Sequence, residues 1–137
     1  MVKKLFLVLC VILIPLAGFS PKDKVIYIKK DMPIQPYEDL WLAVCKVESN
    51  GDPQAYNPEE KAIGISQIRL IRVKDYNRQT GKRYKHKEMY DPVKSKDVFM
   101  FFALKYPPSD IETAAKRWNG SGRKTEVYWA KVKKHLK

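Results

Sequence analysis

The sequence predicts a mostly α domain of several short helices, with little or no β structure. Three observations carry this expectation. Apolar residues recur at helical spacing through most of the chain after Pro36, Gly and Pro punctuate the segments between them, and β-type runs are almost absent outside residues 25–28. At 137 residues the chain has room for one domain and not for two.

Residues 1–20 read as a secretory signal peptide and not as part of the fold. Lys3 and Lys4 supply a positive start, residues 5–16 an apolar centre, and Gly18 and Ser20 the small residues suited to cleavage after Ser20. A membrane-spanning helix needs about 20 apolar residues, and this run is shorter and interrupted at Pro15. Residues 21–36 form an N-terminal arm, in which 25–28 suit a short strand or an extended lead-in before Asp31, Pro33 and Pro36 break the chain.

Residues 37–137 then make up the domain. Leu40, Ala43, Val44 and Val47 define the first helix, and the overlapping stripe Trp41, Val44, Cys45, Glu48 places a carboxylate at the end of its apolar face. Gly51, Asp52, Pro53, Asn57 and Pro58 form an irregular loop. Residues 63–71 read as a short second helix, and 73–80 as a further turn or two ended by Gly81. Asp91 followed by Pro92 is a helix start, leading into a face of Val98, Phe99, Phe102 and Tyr106 that Pro107 and Pro108 stop. Ser109-Asp110-Ile111-Glu112 has the form of a capping box for a helix that buries Ile111, Ala114, Ala115 and Trp118 and ends at Gly120. Thr125 is placed to cap the last helix, with Tyr128, Val132 and Leu136 on its inner side.

Charge narrows the function. With 27 Lys plus Arg against 15 Asp plus Glu the formal charge is +12, falling to +10 once the two leader lysines go, so an anionic partner is expected. The basic runs at 82–87 and 131–137 lack the glycine-aromatic pattern of an RNA-binding module, and an exported domain does not meet nucleic acid. Cys45 is the single cysteine outside the leader, so no internal disulfide is expected. His86, His135 and Cys45 have no metal-ligand spacing, and neither a metal nor a cofactor is expected.

Glu48 is the residue most suited to chemistry. A glutamate continuing an apolar stripe beside Trp41 and Cys45 is partly desolvated, which raises its pKa and keeps a proton available for general-acid work. The bland reading of the same position is a helix-end carboxylate turned to solvent. Its surroundings decide between them. Glu48-Ser49 is followed by Pro53 and Ala55, then by Ala62, Gly64 and Gln67-Ile68, then by Trp118-Asn119-Gly120-Ser121-Gly122, and last by Thr125 and Tyr128. In that order the residues resemble the catalytic domain of soluble lytic transglycosylases, a lysozyme-like family acting on peptidoglycan. The family's E-S-x-x-x-P-x-A, A-x-G-x-x-Q-I and T-x-x-Y motifs are matched, and its Y-N-G-x-G motif is matched except that Trp118 replaces the tyrosine.

This resemblance implies a lysozyme-like fold with Glu48 as catalytic acid and then base. It implies that Ser49 fixes local hydrogen bonding, that Gln67 lines the glycan groove, and that Gly64 lets the backbone approach the sugar. Asn119 would support the active-site loop, Tyr128 would pack or hydrogen-bond beneath Glu48, and Trp118 would offer either a core ring or a sugar-stacking face. The loop between Asn57 and Ala62 is about one residue longer than the family pattern, and Asn57 and Arg69 stand where other residues are usual. One acid suffices if the muramyl 6-hydroxyl is the nucleophile, giving a 1,6-anhydromuramyl end; a muramidase using water would need a second carboxylate, with Asp52 the first candidate. A third reading is an inactive peptidoglycan-binding accessory. The expected partners are glycan strands and, in some settings, an envelope-spanning secretion or conjugation machinery. The expected location is the periplasm or cell envelope, with secretion from the cell as the alternative, and the expected state a monomer.

Overall fold

The computed structural model describes residues 35–105 and 110–137; the leader, nearly all of the arm, Tyr106 and Ser109 lie outside them. Among the described residues, five α-helices, a 3-10 helix and a two-stranded hairpin make a helical domain. Helix α1 (Gln35–Ser49) is its spine, burying Tyr37, Leu40, Trp41, Ala43, Val44 and Cys45 against α3, α4 and α5. It takes in Gln35 and Pro36, which the sequence assigns to the arm, because proline costs nothing in a first turn whose N–H groups have no helical partner.

The segment 63–71 departs from the helical expectation. Strands β1 (Tyr56–Asn57) and β2 (Ala62–Ile63) pair antiparallel, Tyr56 opposite Ile63 and Asn57 opposite Ala62, and Ile63 pairs again with Ile68. Between those two isoleucines Gly64 (φ 78°) and Gln67 (φ 53°) lie in the left-handed region, which no right-handed helix can include. Helix α2 therefore begins at Leu70 and runs to Thr80, with Gly81 (φ 75°) as its left-handed stop.

A 3-10 helix (His86–Tyr90) leads to α3 (Pro92–Leu104), where Asp91 accepts from the Val93 N–H at 2.8 Å and proline takes the first position. Helix α4 (Ile111–Asn119) is capped by Asp110, whose carboxylate accepts from the Thr113 N–H at 2.6 Å, one residue later than the cap the sequence predicts. Thr125 does not cap α5 (Lys124–Lys133): it sits inside the first turn, buried, donating its hydroxyl to the Gly122 carbonyl at 2.7 Å. Phe99 joins the helices, its ring centroid 5.2 Å from Trp41 and 4.9 Å from Trp118.

Candidate active site

Glu48 lies one residue from the end of α1, where the apolar stripe meets the loop, and α5 brings Tyr128 across to it. The buried phenol donates to Glu48 Oε1 at 2.7 Å. Removal from water is the largest influence on Glu48 and raises its pKa; the Tyr128 hydroxyl opposes it, Glu60 raises it further, and Arg69 and Arg72 pull it down. Burial and the Glu48 charge push the phenol well above its ordinary value, so it stays a donor. The Cys45 thiol is pushed up to about 12 by burial and by Glu48, which leaves it protonated and inert.

The neighbouring residues hold this carboxylate in place. Ser49 donates its hydroxyl to the Ile65 carbonyl at 2.7 Å and to Cys45 at 3.3 Å, tying the end of α1 to the hairpin segment. Gln67 donates its amide to the Gly64 carbonyl at 3.0 Å and to Ala55 at 3.4 Å, which fixes the left-handed turn in which it stands. Asn57 Oδ1 accepts from the N–H groups of Glu59 and Glu60 at 3.0 and 3.3 Å, organising the hairpin tip. Asp52 accepts from the Gln54 N–H at 2.8 Å, so its carboxylate is engaged in its own turn. The Glu60 carboxylate on the hairpin acts on Glu48 through its charge.

Two implied roles change in this geometry. Gly64 is buried, and a Cβ built on it would lie 2.0 Å from the Met89 carbonyl oxygen, so the backbone it approaches is the 3-10 helix and not a sugar. Trp118 is in the core, edge to face with Phe99 and covered by the Arg72 guanidinium 4.5 Å above its ring, which leaves no open sugar-stacking face. Asn119 is exposed at the last position of α4, ahead of Gly120 (φ 138°). Arg72 was not singled out by the sequence: it donates to the Trp118 carbonyl at 2.9 Å, also stacks 5.0 Å over Phe102, and has its pKa lowered chiefly by burial. Its signal was there only as a second arginine three residues after Arg69.

A half-buried glutamate at a helix end, its pKa raised by burial and set against a hairpin on a helical frame, has the chemistry of a general acid. The Transglycosylase SLT domain family model matches residues 29–99, and the chain belongs to that family. The match takes in Glu48, Ser49, Gly64 and Gln67 and ends within α3, so Trp118, Asn119 and Tyr128 lie beyond it. No curated protein and no solved structure matches the chain. Family membership supports a lytic-transglycosylase type of function on peptidoglycan.

Proposed function

We propose that this chain cleaves the β-1,4 bond between N-acetylmuramic acid and N-acetylglucosamine in peptidoglycan, leaving 1,6-anhydromuramyl ends. The supporting observation is Glu48: one carboxyl group, raised by burial and held by the Tyr128 hydroxyl at 2.7 Å. Glu48 donates its proton to the glycosidic oxygen as the bond to the muramyl C1 breaks. The acetamido oxygen of that sugar stabilises the cationic carbon, and the resulting Glu48 carboxylate takes the proton of the 6-hydroxyl as its oxygen attacks C1. The acid is thereby restored. Export by the 1–20 segment would place the enzyme in the cell envelope, where glycan strands are.

Glu60 favours one second reading. Its charge on the hairpin acts on Glu48, and a carboxylate there could activate water in a muramidase. Sacculi digested with the full chain and analysed by mass spectrometry distinguish the two. Fragments lighter by one water establish the anhydro product, whereas reducing muramic ends replace it with hydrolysis. Glu48→Gln should lower the rate by about 10²–10⁴-fold, the worth of a general acid and base. A fully active Glu48→Gln variant refutes the assignment.

A further inference from the structure

Two adjoining cavities of about 520 and 260 Å³ lie along α2, sharing Arg72, Asp75 and Phe102. The larger is also lined by Arg69, Ile71, Lys74 and Arg78, so it sets four cationic side chains against one carboxylate. Arg69, Arg72, Asp75 and Arg78 recur every third residue, so each neighbours the next in a row that winds around α2 as it rises, and all four line the larger cavity. From the first to the last, this row is about 13 Å long.

Arg72 is the fixed member. Its guanidinium is stacked over Phe102 and Trp118 and tied to the Trp118 carbonyl, while the charges of Arg69 and Arg72 both act on Glu48. The row is therefore anchored beside the acid, and its outer end is exposed at Lys74 and Arg78.

We infer that this cleft binds the peptide stem of the glycan strand through the stem's carboxylates, an inference that rests on peptidoglycan being the substrate. A row of about 13 Å matches some four extended peptide residues at about 3.3 Å each, whereas a single inorganic anion would engage one end of it. The chemistry of the lining agrees. Planar guanidinium groups pair bidentately with carboxylates, and Ile71, 70% exposed, offers an apolar surface to alanine methyl groups. Asp75 is paired with Arg78 at 2.5 Å and suits a ligand that carries an amine among its carboxylates. A polymer bearing a phosphate at every repeat would meet that aspartate as a repulsive group.

The test is binding of the peptide L-Ala-γ-D-Glu-meso-diaminopimelyl-D-Ala to the full chain, followed by calorimetry and by amide shifts along α2. The peptide should bind and move the resonances of residues 69–78, and the same peptide with its carboxyl groups amidated should bind at least about tenfold more weakly, the loss expected for one charge-assisted hydrogen bond. Lys74→Gln/Arg78→Gln should weaken the peptide by about threefold or more, while Lys131→Gln/Lys133→Gln, an equal charge change on α5, should not. Absence of binding, indifference to amidation, or tighter binding of a glycerol-phosphate oligomer to the same residues overturns the inference. Sacculus cleavage without peptide binding would refute the cleft and leave the proposed function standing; peptide binding without cleavage would do the reverse.

Discussion

Tyr128→Phe isolates the bond on which the site depends. The substitution removes one oxygen from a ring that is only 6% exposed, so packing is kept and the donor to Glu48 Oε1 is lost. A hydrogen bond to an ionised group contributes about 1.5–3 kcal/mol, against about 0.5–1.5 kcal/mol between neutral groups. The variant should lose about 2 kcal/mol where Glu48 is ionised and about 1 kcal/mol where it is protonated, so the loss should grow from pH 4 to pH 8. For a domain of this size that corresponds to melting temperatures lower by about 10 °C for the ionised form and about 5 °C for the protonated form.

The same bond lowers the Glu48 pKa against the larger effect of burial, so its removal raises that pKa further. The falling alkaline limb of the pH–rate profile should therefore move to higher pH, even as the maximum rate drops. Thermal unfolding followed by circular dichroism and clearing of sacculus suspensions across pH measure the two effects. Equal losses of melting temperature at both pH values, together with an alkaline limb that stays put or moves down, would refute a hydroxyl bonded to the ionisable acid.

Glu60→Gln should move that limb the opposite way, to lower pH, because Glu60 raises the Glu48 pKa; an upward shift in the sacculus assay contradicts it. Glu48→Gln should be more stable than the parent at pH 8 in denaturant titrations, since a carboxyl with a raised folded-state pKa contributes stability below its ordinary value of about 4.3 that is lost as pH rises through the folded value. The gain should vanish near pH 4, and a constant gain would show that burial of the charge is not its source. Gly64→Ala should destabilise by about 2–5 kcal/mol, combining left-handed strain with the clash against Met89, and should do so without any glycan present. A variant of parental stability that had lost only substrate affinity would return Gly64 to the sugar.

What the sequence disclosed was whatever depends on near neighbours. The Asp91-Pro92 start, the Gly81 and Gly120 stops and the stripe ending at Glu48 are local chemistry, and the helices follow them. Residues 63–71 misled because Ile63, Ile65, Ile68 and Ile71 have the apolar density of a buried helix, while the feature that forbids one is a left-handed glutamine, a conformation its residue type does not announce. Trp118 and Arg72 stand 46 residues apart in sequence, and nothing in the local pattern of either foretells their pairing. Tyr128 was legible only through the order of the motifs, since a tyrosine on the inner face of the last helix otherwise reads as core.

In the proposed reaction one carboxyl group serves twice, and the balance around Glu48 bears on how it can. The acid step requires a proton on Glu48 and the following step requires its absence, so an environment that pushed in one direction alone would favour one step at the expense of the other. Burial and Glu60 favour the proton; Tyr128, Arg69 and Arg72 favour the charge. These groups arrive from the hairpin, α2 and α5 and meet at the end of α1, which makes the pKa of Glu48 a property of the folded domain. Because Tyr128 and Glu60 act on the same carboxyl group with opposite sign, Tyr128→Phe combined with Glu60→Gln should return the alkaline limb toward its parental position while the stability loss of Tyr128→Phe persists. A double variant whose limb lies beyond either single variant would mean that the two residues do not act on the same acid.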